Sequence, residues 1–120
     1  MPDFSSAIAI CASNTLQEGG KGVRFTVTRQ GRELPAFVVR FDGAARAFIN
    51  QCAHVPMELD WAQGTFFDAD GLTIMCSTHG AMYDPVTGRC VAGPCRGASL
   101  QPAAVVERDA LIWFGPVYDR

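Results

Sequence analysis

The sequence predicts an all-β protein, a small antiparallel β-sandwich or open barrel. Three observations favour this class: stretches in which apolar and polar residues alternate, turn dipeptides between those stretches, and 12 glycines and 7 prolines spread over 120 residues. No segment has convincing helical periodicity, although residues 56–61 could hold one short turn. The length allows one domain with a core large enough to fold unaided. We therefore expect a single domain over residues 1–120.

The first predicted strands form two consecutive hairpins. Apolar and polar residues alternate with period two from Val23 onward, which is typical of a half-buried strand. The dipeptides Gln30-Gly31 and Asp42-Gly43 are turn signals that separate the strands. The predicted strands in this part are residues 23–28, 36–41 and 47–49.

Two further hairpins are expected in the rest of the chain. The apolar residues 66–67 and 72–75 flank a second Asp-Gly dipeptide at Asp70-Gly71. Near the end, residues 104–107 and 111–114 flank Arg108-Asp109.

Composition excludes several function classes. Apolar residues make up 48% and charged residues 18% of the chain, which is typical of a globular protein rather than a disordered one. The net charge of −2 and the single lysine, Lys21, argue against a nucleic-acid surface. The apolar run at residues 7–11 is too short for a secretory or membrane-spanning segment, so we expect a cytoplasmic protein without a membrane partner.

The cysteines and histidines form two closely spaced pairs. Cys52-x-His54 and Cys76-x-x-His79 contain both histidines of the chain, and each pair fits on one tight loop. Five cysteines cannot all pair internally, and in a reducing cytoplasm such clusters are more often metal ligands than disulfides. The sequence therefore predicts a metal site formed by two loops.

The order of the ligands discriminates between metals. Two thiolates and two imidazoles would suit a tetrahedral zinc ion, but the loops of zinc sites usually hold ligands of one kind. Here each loop mixes one thiol with one imidazole. The mixed order fits a binuclear iron site, in which Cys52 and Cys76 bind one iron and His54 and His79 bind the other.

The motifs in residues 50–97 resemble those of the Rieske [2Fe–2S] family. The second pair continues as His79-Gly80, Tyr83-Asp84 and Thr87-Gly88 follow, and Gly93-Pro94 is similar to the third loop that covers the cluster in that family. The resemblance implies a cluster-binding subdomain over about residues 50–97 on a β base formed by residues 1–49 and 98–120. It also implies that Gly80, Tyr83, Pro94 and Cys95 surround the cluster.

The second loop predicts a low reduction potential within the family. High-potential members resemble His-Gly-Ser-x-Tyr, whereas this chain has Ala81, which has no hydroxyl to donate to a sulfur atom. Their loop-bridging disulfide is also absent, since Met57, Ser77 and Thr78 occupy its positions. Tyr83 can either donate its hydroxyl or simply pack as a strand aromatic.

Three cysteines lie outside the ligand set. Cys11 has the pattern of a strand core residue. The resemblance to the covering loop puts Cys95 near the cluster, where a small buried apolar role is favoured over a redox role. A Cys90–Cys95 bridge is conceivable, but the expected cytoplasmic location disfavours it.

The resemblance implies a soluble one-electron carrier rather than an enzyme. Such a protein takes electrons from a flavin-dependent reductase and passes them to an oxygenase or a similar terminal acceptor. A terminal oxygenase needs a second iron site with two further histidines, and both histidines of this chain are already assigned. A small nitrite-reductase-type subunit, a redox-sensing module and a zinc module remain as alternatives.

Overall fold

A computed structural model of the chain describes residues 8–51, 58–60, 64–76, 80–94 and 97–114. The strands form three antiparallel sheets of three strands each, with the orders β1-β9-β8, β2-β3-β4 and β5-β6-β7. The strands are β1 Ile8–Ala12, β2 Val23–Arg29, β3 Arg32–Phe41, β4 Ala44–Ile49, β5 Ile74–Met75, β6 Met82–Tyr83, β7 Cys90–Ala92, β8 Val105–Arg108 and β9 Leu111–Phe114. The all-β class is confirmed. Within the described part, the helical structure is one 3₁₀ turn, Ser13–Thr15, and no helix there is long and apolar enough to cross a bilayer.

The sheet β2-β3-β4 contains the two predicted consecutive hairpins. Its turns lie at residues 30–31 and 42–43, as expected. The strand β3 begins at Arg32, four residues before the predicted start. The reason is that all seven residues of β2 pair with it, from Val23↔Val38 to Arg29↔Arg32. A strand that gains a pairing partner stays extended where its own alternation is weak.

The sheet β1-β9-β8 joins the two ends of the described chain. The hairpin β8–β9 turns at Asp109 and Ala110, one residue later than the sequence predicts, because Arg108 pairs with Leu111. Both turn residues have positive φ, 55° and 63°, which matches the right-handed twist of the flanking strands in a two-residue turn. The strand β1 contains Cys11 and pairs with β9 through a bulge.

The sheet β5-β6-β7 is much smaller than the other two. Its strands have two, two and three residues. The expected hairpin around Asp70-Gly71 is present: Phe67 bridges Ile74, and the Asp68 N–H donates to the Thr73 carbonyl at 2.9 Å. The predicted strand 72–75 is shorter than expected, because Leu72 lies in a bend and is 63% exposed.

The core connects this small sheet to the β base. Phe37 of β3 is fully buried and stacks on Phe66, with ring centroids 4.0 Å apart and planes inclined by 11°. The same buried cluster contains Leu59, Cys76 and Tyr83. The second and third sheets therefore share one apolar core, and this core fixes where the ligand-bearing loops emerge.

Candidate metal centre

The second ligand loop is a tight connection between β5 and β6. The Cys76 N–H donates to the Ala81 carbonyl at 2.8 Å, and the Gly80 N–H donates to the Cys76 carbonyl at 2.8 Å. These bonds extend the pairing of Met75 with Met82 into the loop. The side chain of Cys76 is buried, and the residue has no solvent exposure. His79 lies outside the described residues, but the loop that carries it is closed at both ends.

The residues that follow this loop are part of the core. Tyr83 pairs with Ile74 on one side and with Cys90 on the other, and its side chain is fully buried. It belongs to the apolar cluster that contains Phe37. Ala81 is also fully buried, so the position that carries a serine in high-potential relatives is enclosed here by protein.

The third loop packs directly on the second ligand loop. A Cβ atom on Gly93 would lie 2.7 Å from the Gly80 carbonyl oxygen and 2.9 Å from the Ala81 Cα, and Gly93 has a φ of +86°. Only glycine satisfies both the close approach and the left-handed backbone. Pro94, which follows, is exposed, and so is Gly80. Cys95 lies outside the described residues.

The first ligand loop is described at its two ends. Cys52 and His54 lie outside the described residues. The residues that flank them, Asn50 and Asp60, are both buried, and their side chains are hydrogen-bonded to each other at 3.0 Å. The sequence analysis did not predict this pair. The one signal for it was the position of Asn50, a polar residue directly after the buried end of β4 and two residues before the predicted ligand Cys52.

Two of the remaining cysteines lie in described strands. Cys11 is a free, half-buried thiol in β1 that packs against a core cluster, as expected, and its burial raises the pKa of the thiol. Cys90 of β7 is in a disulfide bond, which the sequence analysis considered conceivable but disfavoured.

Of the four predicted ligands, Cys76 is the one that lies in the described part of the chain. Among these residues, no three His, Cys, Asp or Glu side chains lie close enough to hold a metal ion. The ligand set therefore stays a prediction.

Comparison with known proteins decides the family. The family model of the Rieske [2Fe–2S] domain matches residues 6–108. The chain belongs to the Rieske [2Fe–2S] domain family. It is an iron–sulfur protein, and the chemistry of its cofactor is one-electron transfer. A comparison with curated protein sequences finds no match.

Solved structures of Rieske proteins share the fold. A chain of the complex of reduced oxygenase and oxidised ferredoxin in carbazole 1,9a-dioxygenase is 24% identical with a TM-score of 0.69, and the alignment covers 92% of this chain and 93% of that one. The ferredoxin of carbazole 1,9a-dioxygenase from Nocardioides aromaticivorans IC177 is 24% identical with a TM-score of 0.68 and coverages of 92% and 97%. Apo dicamba monooxygenase is 27% identical with a TM-score of 0.69, and 92% of this chain spans 33% of that chain.

The residues present fit a [2Fe–2S] cluster. Cys76 is buried at the start of a hydrogen-bonded loop, and cysteine thiolates are the ligands that hold iron–sulfur clusters. With Cys52, His54 and His79 the chain supplies two thiols and two imidazoles. Two ferric ions and two sulfides carry +2, which two thiolates cancel, so the oxidised Rieske site is neutral and accepts an electron more easily than a site with four thiolates.

Proposed function

We propose that this protein is a ferredoxin of a multicomponent oxygenase system. It accepts single electrons from a flavin-dependent reductase and passes them to an oxygenase or a similar terminal acceptor. The observation that carries the proposal is the match of this family member to a ferredoxin of a dioxygenase system, which covers 92% of this chain with a TM-score of 0.68. The proposal assigns both histidines of the sequence to the cluster, so neither is assigned to a mononuclear iron site.

The proposed ligands are Cys52 and Cys76 on one iron and His54 and His79 on the other. The mixed order of the two pairs supports this assignment, and so does the burial of the Cys76 thiol. The proposed cluster-binding subdomain covers about residues 50–97. The small sheet β5-β6-β7 lies inside these limits, and the two larger sheets lie in the β base.

The surface beside the second ligand loop suits a transient partner. Gly80 follows His79 directly and is exposed. The neighbouring residues of β7 and the third loop are exposed as well, and Val91 retains 60% of its accessible surface. Electron-transfer contacts are small, so an apolar patch of a few residues near the imidazole ligands is sufficient for docking.

The reduction potential is proposed to lie in the lower part of the Rieske range of about −150 to +300 mV. Ala81 offers no hydroxyl near the second ligand loop, which removes one hydrogen bond that stabilises the reduced cluster in high-potential members. Among residues 79–83, the hydroxyl group is that of Tyr83. Gly80, Pro94 and Cys95 complete the proposed surroundings of the cluster.

The cytoplasmic location stays a prediction of the sequence. The free thiol of Cys11 is consistent with a reducing compartment, whereas the disulfide at Cys90 counts against one. Fractionation of the native cells with an antibody to the chain is the direct measurement.

Spectroscopy of the purified protein tests the function. We expect two iron and two sulfide per chain, a visible spectrum of an iron–sulfur protein and an electron paramagnetic resonance signal after reduction. Cys76→Ser should abolish the signal, whereas Cys11→Ser, which changes a free thiol in β1, should keep it. A colourless protein with one zinc ion would contradict the family's cofactor in this chain.

Stopped-flow kinetics test the role as a carrier. The reduced protein should be reoxidised by a Rieske oxygenase and the oxidised protein reduced by a flavin-dependent reductase, each in a single-electron step. Reduction without any transfer to an oxygenase would favour the redox-sensing alternative.

A further inference from the structure

A buried polar pair closes the base of the first ligand loop. Asn50 directly follows β4 and is 1% exposed, and Asp60, ten residues later, is 7% exposed. The Asn50 Nδ2 donates to the Asp60 Oδ1 at 3.0 Å, and the Leu59 N–H donates to the Asn50 Oδ1 at 2.9 Å. The segment that carries Cys52 and His54 therefore starts and ends at one hydrogen-bonded junction.

The carboxylate of Asp60 has further donors. The Gly64 N–H donates to its Oδ2 at 2.8 Å, and the Arg24 Nε lies 3.5 Å from the same oxygen. The Asp60 side chain has no solvent exposure. Arg24 also forms an ion pair with Glu58. Burial of a charged group is costly unless it is paired and hydrogen-bonded, and this carboxylate has an arginine and two N–H donors.

The junction is attached to the β base at separate points. The Asn50 N–H donates to the Pro35 carbonyl of β3 at 2.7 Å, and the Gly22 N–H donates to the Gly64 carbonyl at 2.8 Å. Arg24 lies on β2. Both ends of the loop are thus held by β2 and β3, the two longest of the described strands.

A polar junction fixes geometry more sharply than an apolar contact. Apolar side chains can slide past each other at small cost, whereas a donor that leaves its acceptor in a buried site loses the whole hydrogen bond. The Asp60 carboxylate is therefore part of a buried polar contact and does not face solvent.

We propose that Asn50 and Asp60 are positioning residues for the [2Fe–2S] cluster. They hold the ends of the first ligand loop so that Cys52 and His54 keep the spacing that the cluster requires, and Arg24 neutralises the buried carboxylate. The inference rests on the proposed ligand set. Beyond any contribution to folding, Asn50 and Asp60 then help to retain the cluster and influence its electronic state.

Single isosteric substitutions break the junction. The three partners of the Asp60 carboxylate all approach it with N–H groups, so Asp60→Asn places an amide N–H against another donor in either rotamer. Asn50→Asp places two carboxylates against each other. In each case we expect release of iron to a chelator to become about tenfold to a hundredfold faster, as for the loss of one or more buried charge-assisted hydrogen bonds. The reduced protein should show shifted electron paramagnetic resonance g values.

The reciprocal double variant is the decisive comparison. In Asn50→Asp/Asp60→Asn, the carboxylate at position 50 accepts from the Leu59 N–H and from the amide at position 60, whose oxygen accepts from the Gly64 N–H. The Leu59, Gly64 and side-chain amide donors regain acceptors, but the carboxylate no longer lies beside Arg24. Iron release should therefore fall from the rates of the single variants to severalfold above the wild-type rate, the increase expected for loss of the Arg24 contact alone, with g values close to the wild-type signal. Asp70→Asn, an exposed aspartate in the hairpin between the ligand loops, is the matched control and should behave as wild type.

The cluster-free proteins separate positioning from folding. If Asp60→Asn lowers the melting temperature of the cluster-free protein while the loaded protein keeps the wild-type iron release and g values, the positioning role is overturned. Failure of the double variant to recover while it folds normally also overturns it. A wild-type protein without a cluster would instead contradict the proposed ligands.

A milder variant covers the case in which Asp60→Asn does not fold. Arg24→Gln removes the cation and leaves the Asn50–Asp60 hydrogen bond in place, and its side chain is 30% exposed. We expect a severalfold faster release of iron with unchanged folding of the cluster-free chain. An unchanged rate in Arg24→Gln would overturn the role of the network.

Discussion

The two larger sheets, which form the proposed β base, and the small sheet β5-β6-β7 of the proposed cluster-binding subdomain are held together in different ways. In the β base, β2 and β3 have seven and ten residues and pair over their full ladder. In the subdomain, β5 and β6 have two residues each, and much of the chain is held by side-chain bonds to the backbone and by close backbone contacts. Long paired strands fix the backbone geometry by their own hydrogen bonds, whereas short strands depend on packing and on metal ligation. We therefore expect the two larger sheets to act as the scaffold, and the conformation of the proposed subdomain to depend on its packing against them and on the cluster.

The aromatic stack between the two regions should have the largest effect. Phe37→Ala removes a fully buried ring from β3 and its contact with Phe66. We expect the free energy of unfolding to fall by about 3–5 kcal/mol, measured by urea titration of the loaded protein. Val86→Ala, at a residue that is 47% exposed, should change it by less than about 0.5 kcal/mol. Equal effects of the two variants would mean that the regions fold independently of this stack.

The contact between the third loop and the second ligand loop comes next. Gly93→Ala and Gly97→Ala both place a side chain at positive φ, which costs about 1 kcal/mol, but only Gly93 also meets the backbone of Gly80 and Ala81. In Gly93→Ala, the free energy of unfolding should fall by a further amount of about 1–3 kcal/mol, and the protein should release iron faster. Thermal unfolding and chelator kinetics measure the difference, and matching values for the two variants would contradict the close packing.

A hydroxyl at position 81 should change the electronics rather than the fold. Ala81→Ser introduces a donor next to the second ligand loop, and a hydrogen bond to sulfur stabilises the more negative reduced cluster. We expect the midpoint potential to rise by about 60 mV, which corresponds to a factor of ten for one electron. Ala69→Ser, in an exposed turn, is the control for voltammetry. A strongly positive midpoint in the wild type would contradict the proposed low potential.

The smallest effect should come from surface charges of the β base. Hydrogen bonds from Arg40 lower the pKa of Glu107, and backbone N–H groups of Gly43 and Asp42 lower the pKa of Glu18. As the pH falls below the ordinary value of 4.5, the unfolded chain takes up protons first, so the stabilisation present above that pH is lost.

The variant Glu107→Gln should lose less stability than the wild type as the pH falls. Because the Glu107 side chain is 36% exposed, the ion pair contributes less than about 1 kcal/mol at neutral pH. Unfolding titrations between about pH 3 and 7 measure the slope, and an unchanged slope in the variant would assign the acid sensitivity to other carboxylates.

Local patterns predicted the β base better than the subdomain. The alternation from Val23 and the turns at Asp42-Gly43 and Asp70-Gly71 are signals within a few residues, and the structure confirms them. The pairing of β1 with β9 joins opposite ends of the chain, and no local pattern encodes it. The predicted strand 72–75 is shortened to Ile74–Met75 for a similar reason, since pairing with β6 and not the local pattern decides its length.

The candidate site shows the same division. Residue type and spacing alone defined the two Cys and His pairs, because metal ligands are restricted to a few side chains with fixed reach. They equally suggested the family that the comparison confirmed. The burial of Asp60, the disulfide of Cys90 and the contact of Gly93 with Gly80 were not predictable in this way.

The sequence by itself determined the antiparallel β class, the family and its cofactor, and it predicted the ligands. These depend on which residues are present and on their separation along the chain. Only the tertiary structure decided that Asn50 and Asp60 form a buried junction anchored on β2 and β3. The physical reason is that burial and hydrogen-bond partnership are properties of residues brought together from different strands and loops, and a carboxylate in a loop has the same local pattern whether it faces solvent or an arginine.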